Sequence, residues 1–342
     1  MKTLIHLPIE PFEGRYSKDW LEWYKNASID SGFDEKFFLS DYQYDKIAYG
    51  SFLDVFGTCI YKVDQMFGLL NWIQEEHRNG RNWSETIFFF HDLWNIEVIH
   101  LKYIRDALKL PFKIAGMLHA GTYDPYDFLT QSGMETWGSY IEHGMWKETD
   151  VIFVATEFHR RLLCSSRYLN PDKVYVSGFP IYPRHKIYEV HNKERSVVFP
   201  HRLNEEKNPH LFERLKEEIE KTDPHGVSFV RTYDLKQTKD EYYKELTKHR
   251  VAVSFSNQET WGIAMQECVF AGCLPLVPDK LSYSEMYLPE FKYQHEENVA
   301  IRCMELLDHY DDFQSLWIEQ YNKLKIAGEL AIKKQKMVMH AL

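Results

Sequence analysis

Short apolar runs recur along the chain, each followed by a polar or glycine-containing break and then by a segment with apolar residues three or four apart. Thr3–Leu7 (TLIHL) predicts a strand, and residues 16–26 behind it predict a helix. Thr86–Phe90 (TIFFF) stops at His91-Asp92, and residues 112–118 (FKIAGML) stop at His119-Ala120-Gly121. Residues 151–155 (VIFVA) lead into a helix start at 157–163, and 173–176 (KVYV) ends at Ser177-Gly178. Strands alternating with helices at this spacing predict βαβ units and a mostly parallel sheet.

The pattern then restarts. Strands are expected at 195–199, 227–230, 251–255 and 274–277, with helices at 209–221, 240–249 and 260–271 between them and a mostly helical tail from about 298. Two prolines and many polar residues interrupt the periodicity over 179–193. The expected fold is therefore α/β: two Rossmann-like, doubly wound domains facing across a cleft, at 1–180 and 190–315. A helical tail, 316–342, is expected to return to the first domain. Ligands in such sheets bind beyond the carboxyl ends of the strands, which draws attention to 91–92, 119–122, 200–207 and 256–261.

Composition adds limits. With 342 residues, 44% of them hydrophobic, the chain can build two cores. A net charge of −10 argues against a generally basic nucleic-acid coat, while leaving room for a local basic rim at His159-Arg160-Arg161 and Arg167, or at Arg184-His185-Lys186. Five cysteines without metal-site spacing are expected to be free thiols. The opening MKTLIHLPIEPFEGRY has too short an apolar run for a secretion signal, and no run approaches membrane-spanning length. A soluble cytoplasmic protein without membrane partners is expected.

Two segments carry chemistry. In VVFPHRLNEEKNPHLF a strand delivers His201 and Arg202 to its end, and Lys207 precedes the next helix. Cations at a helix N-terminus suit a phosphate, since dipole, free N–H groups and charge act together. The competing reading is a solvated loop in which Arg202 and Lys207 pair with Glu205 and Glu206. In SNQETWGIAMQECVFAGCLPL, Glu259 stands at the N-terminus of the expected helix 260–271 and Glu267, eight residues on, two turns along it, with Gly272 closing the helix. Eight residues return to nearly the same helix face, so the two carboxylates would serve one polyhydroxylated ligand. Capping by Glu259 and a surface Glu267 is the plainer alternative.

Together, PHRLNEEKNP and ETWGIAMQECVFAGCLPLVPDKLSYSEMY resemble the retaining nucleotide-sugar glycosyltransferases of GT-B fold, family-4 type. Within them the likeness is to enzymes that glycosylate modified nucleobases: tRNA-queuosine mannosyltransferases and bacteriophage DNA hydroxymethylpyrimidine glycosyltransferases. The resemblance implies that Arg202 and Lys207 hold the donor diphosphate, with Thr260, Trp261 and Gly262 beside it. It also implies that Glu259 faces the sugar and Glu267 the ribose. The implied donor is a UDP-sugar, transfer retains configuration, and neither cofactor nor metal is required. No DxD pair suited to a metal follows a strand; Asp124 and Asp127 are separated by a Pro-Tyr turn.

The N-terminal half supplies further candidates. Gly14 and Arg15 follow the first strand and are expected near the phosphates. His119 is a candidate for contact with the transferred sugar, for the acceptor's base, or for a structural histidine, and Asp92 is the second base candidate. Arg231 and Tyr233 lie where the nucleotide base is expected. Trp94, Tyr123, Tyr126, Trp137 and Trp146 are either core or stacking surfaces for a flipped base. The leading acceptor is a hydroxymethylated pyrimidine in DNA, host cytoplasm being the location if the chain is phage-encoded. The alternatives are tRNA, a small molecule or a polysaccharide, and a non-catalytic nucleotide-sugar binder.

Overall fold

The computed structural model of the chain describes residues 1–12, 15–29, 31–42, 54–183 and 193–342. Gly14 and the Arg184-His185-Lys186 part of the expected rim lie outside the described residues. The chain forms two compact units, one of residues 1–180 with 330–342, the other of residues 181–329.

In the first unit β1 (Thr3–Leu7), β2 (Asp34–Phe37), β3 (Thr86–Phe90), β4 (Lys113–Met117), β5 (Val151–Val154) and β6 (Val174–Val176) form one parallel sheet, in the order β2-β1-β3-β4-β5-β6. Around it are α1 (Tyr16–Ala27), α2 (Val55–Arg78), α3 (Glu97–Leu108), α4 (Phe128–Gln131), α5 (Glu135–Glu148) and α6 (Glu157–Arg167). Every residue of β1, β3 and β5 is buried, as parallel strands covered on both faces require. The chain runs from β1 out to β2 and then past β1 to β3. The direction of winding therefore reverses between β1 and β3, the kind of position at which open α/β sheets bind ligands.

The edge strand β2 (DEKF) has no apolar alternation to announce it. Glu35 on it accepts from Lys336 Nζ at 2.6 Å and lies 2.8 Å from His6 Nε2, so a buried carboxylate is fully partnered. Of the first expected basic rim, His159 is buried against Tyr123 and Arg167 turns inward to Glu142 at 2.7 Å, leaving Arg160 and Arg161 at the surface. Trp146 and Tyr123 belong to the core of this unit, whereas Tyr126 and Trp137 are exposed.

The second unit repeats the winding. Strands β7 (Glu194–Phe199), β8 (Ser228–Arg231), β9 (His249–Val253), β10 (Leu274–Pro278) and β11 (Lys292–Tyr293) are parallel in the order β11-β10-β9-β7-β8. Its helices are α7 (Pro209–Thr222), α8 (Lys239–Leu246), α9 (Ile263–Phe270), α10 (Tyr283–Met286) and α11 (Val299–Asp308), followed by α12 (Gln314–His340), whose last turns belong to the first unit. Val197, Phe199, Phe212, Val251, Val253 and Leu276 fill its core. Here the reversal lies between β7 and β9, so the residues after these two strands share one crevice. Among the described residues, no helix is long and apolar enough to cross a membrane.

Candidate functional site

The loops after β7 and β9 in the second unit are tied to each other by main-chain polar groups. Asn208, in the left-handed region at φ 51°, donates from Nδ2 to the Phe255 carbonyl at 2.8 Å. The Asn257 amide donates to the Glu206 carbonyl at 2.8 Å. Pro209 then opens α7 at the position where a missing N–H costs nothing.

This bracing brings Lys207 to Glu259. The ammonium donates to the Gln258 carbonyl at 2.6 Å and lies 3.3 Å from Glu259 Oε2, with the two side chains 8% and 17% exposed. Of the solvated-loop alternative, only Arg202 realises a part, lying 3.7 Å from Glu206 at a half-exposed position. His201 is 4% exposed, and its buried Nε2 has no protein partner among the described residues. Burial, then the neighbouring Lys207 charge, pull its pKa down to about 3, so the ring is neutral at pH 7. Burial pushes the Glu259 carboxyl up, but Lys207, then His201 and the Gly262 amide, outweigh it and leave the group below its usual value. The result is an ionised carboxylate and an ammonium beside a neutral imidazole at the ends of β7 and β9.

The expected helix over 260–271 is shorter. It begins at Ile263, because Gly262 sits at φ +65° and a Cβ there would come 2.8 Å from the Tyr283 ring. Thr260 and Trp261 are therefore loop residues. Glu259 does not lie on the helix at all: its Oε1 accepts from the Gly262 amide at 2.8 Å, closing the turn in front of α9. Helical spacing thus does not relate Glu259 to Glu267. At the helix end the reading holds, with Gly272 at φ +87° just past the last turn.

Glu267 faces α8. Tyr242 donates to its Oε2 at 3.2 Å, and the Tyr243 hydroxyl donates to its Oε1. Arg231, at the end of β8, is held by Asp234 at 2.6 Å and Glu213 at 3.0 Å, while Tyr233 is partly exposed beside it. The second unit thus gathers His201, Lys207 and Glu259 closely, and sets Glu267 with the tyrosines of α8. The strand end delivers His201 beside Arg202 as expected, though no role is assigned to it from the sequence, and Tyr242 and Tyr243 are not legible there at all.

In the first unit, His119 Nε2 donates to the His91 carbonyl at 2.7 Å. Phe179 stacks on the ring with centroids 5.0 Å apart. Asp92 Oδ1 accepts from the Trp94 amide at 3.0 Å in a local turn. Arg15 precedes α1 with its guanidinium 5.7 Å from the Phe12 ring centre. Asp124 and Asp127 each accept from a backbone amide two residues ahead, at 2.9 Å, so both serve the turn and the cap of α4.

No family model matches the chain. It is 29% identical to the tRNA-queuosine alpha-mannosyltransferase of Drosophila melanogaster over 28% of this chain and 32% of that protein, so it spans about a third of the length of this curated relative. Among solved structures, the sucrose-phosphate synthase of Thermosynechococcus elongatus superposes with a TM-score of 0.68 at 10% identity, covering 100% of this chain and 99% of that one. The fold is GT-B. Two further GT-B neighbours agree. The catalytic domain of starch synthase IV from Arabidopsis thaliana gives 0.62 at 10% identity over 99% and 98% of the two chains. The lipopolysaccharide galactosyltransferase WaaB gives 0.57 at 13% over 96% and 99%. The GT-B resemblance read from PHRLNEEKNP and ETWGIAMQECVFAGC thus holds at the level of fold.

Proposed function

We propose that the chain is a glycosyltransferase of the retaining, family-4 type, which takes a sugar from a nucleoside diphosphate, uridine being the leading base. The observation that carries this reading is the Lys207–Glu259 pair beside His201 at the winding reversal of the second unit. In the transfer, the bond from the sugar's anomeric carbon to the diphosphate oxygen breaks, an acceptor hydroxyl forms the new bond, and its proton passes to the departing diphosphate. The departing group gains negative charge as the bond breaks. Lys207 and Arg202 answer that charge, and the amides opening α9 add their dipole. Glu259, held by Lys207 and the Gly262 amide, is the acceptor for the sugar's hydroxyls. Glu267 takes the ribose; Arg231 and Tyr233 flank the base. No metal is required in this scheme.

For the acceptor, we take a hydroxyl on a modified nucleobase. The curated relative's name favours tRNA; the N-terminal segment PIEPFEGRYSKDW favours hydroxymethylated DNA. The net charge of −10 weighs against a long duplex footprint. The test is a panel of UDP-, GDP- and ADP-sugars incubated with hydroxymethylpyrimidine DNA and with queuosine-containing tRNA, read as an added hexose or pentose mass. Donor binding with no transfer to either nucleic acid, to glycans or to small alcohols would replace the enzyme reading with that of a nucleotide-sugar binder.

A further inference from the structure

The cap that ends α9 brings two thiols together. Gly272 follows the last turn at φ +87°; its amide donates to the Val269 carbonyl at 3.0 Å, and the Cys273 amide donates to the Cys268 carbonyl at 2.9 Å. These are the two nested bonds of a Schellman motif, whose first and last residues ordinarily touch through apolar side chains. Here those residues are Cys268 and Cys273, both 0% exposed. Neighbours pin the motif: the Tyr310 hydroxyl donates to the Gly272 carbonyl at 2.8 Å, and the Trp317 indole N–H to the Val269 carbonyl at 2.9 Å.

A buried ammonium lies against this pair. Lys193, just before β7, donates from Nζ to the His249 carbonyl at 2.7 Å and the Ala271 carbonyl at 3.0 Å, and lies 4.0 Å from Cys273 Sγ. The acidic groups that act on its charge are the two thiols, Cys273 before Cys268. Burial pushes the Cys273 thiol up, but the hydrogen bond from Cys268 and then the Lys193 charge outweigh it and hold it below its usual value. Burial, then the Cys273 neighbour, drives the Cys268 thiol well up. The two sulfurs therefore differ. Cys273, whose thiol donates to the Leu246 carbonyl at 3.2 Å while protonated, gives up its proton the more readily.

We propose that Cys268 and Cys273 form an oxidant-sensitive dithiol, in which a small peroxide oxidises Cys273 and Cys268 then closes a disulfide across the end of α9. The deprotonated Cys273 sulfur attacks one peroxide oxygen and the O–O bond breaks. This leaves a sulfenic acid on Cys273 and a hydroxide that takes up the thiol's proton as water. The Cys268 sulfur next attacks the Cys273 sulfur, the S–O bond breaks, and the hydroxide departs with the Cys268 proton as a second water. The thiols lose two electrons and the peroxide gains them. Lys193 is a positioning residue, since its charge favours the attacking thiolate. Its plainer role is that of a cation at the C-terminal end of α9, whose removal would leave thiol reactivity unchanged. The inference stands apart from the donor reading, which assigns nothing to these three residues.

The test is mass spectrometry of the folded full chain after hydrogen peroxide treatment, denaturation, alkylation and tryptic digestion. Both cysteines fall in one fragment, 251–280, because no Lys or Arg lies between Arg250 and Lys280. The expected product is a fragment lighter by two hydrogens that resists alkylation until dithiothreitol is added. Lys193→Met should slow its formation about tenfold. Cys268→Ala, which lacks the resolving thiol, should stop Cys273 at the sulfenic acid, read as a dimedone adduct; it keeps the test usable if Lys193→Met does not fold. A fragment that retains both thiols while the exposed Cys59 is oxidised overturns the inference. So does oxidation of Cys273 to a sulfinic acid without the bridge. Equal rates in Lys193→Met and the unaltered chain overturn the part given to Lys193 and leave it as the helix-end cation.

Discussion

Lys207 Nζ stands 3.3 Å from Glu259 Oε2, joining the loop after β7 to the loop after β9 across the point where the sheet reverses its winding. Each side chain is the other's charge partner in a largely buried place. Removing one leaves an unpaired ion, at a cost of about 3 kcal/mol; replacing both with neutral groups of similar size avoids that cost. Lys207→Met is expected to lower both the unfolding midpoint in urea and transfer, the latter by about a hundredfold or more. Lys207→Met with Glu259→Gln should recover most of the stability and none of the transfer. Normal turnover in either variant would remove the pair from the donor site, as would normal turnover in Arg202→Ala with Lys207→Ala for the diphosphate assignment.

Gly262 is the hinge of the turn that presents Glu259. Alanine there meets a positive φ and the Tyr283 ring, so Gly262→Ala should cost roughly 1–2 kcal/mol in chemical unfolding. Because the Gly262 amide is also a hydrogen-bond donor to Glu259, nucleotide-sugar affinity should fall with it. A variant with wild-type stability and affinity would show that the turn relaxes freely.

Burial of Glu35 opposes its ionisation, yet hydrogen bonds from His6, Lys336 and Ser31 outweigh this and hold its carboxyl at about 2. A depressed carboxyl pKa stabilises the fold above the unfolded value near 4.5, and that contribution is lost as pH falls toward 2. With about 1.4 kcal/mol per unit, the lost amount is roughly 3 kcal/mol. Urea melts at stepped pH should show a decline over this window, and Glu35→Gln should flatten it. An identical slope in the variant would assign the acid sensitivity elsewhere.

Transfer is expected to survive EDTA, since the leaving charge is assigned to Lys207, Arg202 and the start of α9. The measurement is product mass with and without chelator, followed by added magnesium or manganese. Activity that vanishes and returns with the ion would contradict the charge assignment.

Much of the fold is legible in the hydrophobic pattern because buried parallel strands must be apolar throughout, as TIFFF and VIFV are. What escaped has a physical reason. β2 and β11 are edge strands, and edges need no continuous apolar face: Asp34–Phe37 is mostly charged, and Lys292–Tyr293 is only two residues long. α2 hides its helical period because Phe56, Ile60, Val63 and Phe67 are exposed, so both of its faces read as apolar. In the candidate site, Lys207 and Glu259 can be proposed from their places after strands. The partners of Glu267 cannot be, since Tyr242 and Tyr243 reach it from a separate helix by a contact that no local spacing encodes. The start of α9 at Ile263 is hidden for a related reason: an αL glycine such as Gly262 is invisible to periodicity.

The first unit is discontinuous along the chain, with residues 330–342 completing what residues 1–180 begin. Gln335 meets Tyr24, and Lys336 meets Glu35 and the Ala27 carbonyl. On the ribosome, those partners emerge on the order of ten seconds after β6, with the whole second unit translated in between. Until then the Glu35–His6 contact lacks the lysine that completes it. The second unit, residues 181–329, is contiguous in sequence, so all of it has left the ribosome before the first unit has its last residues.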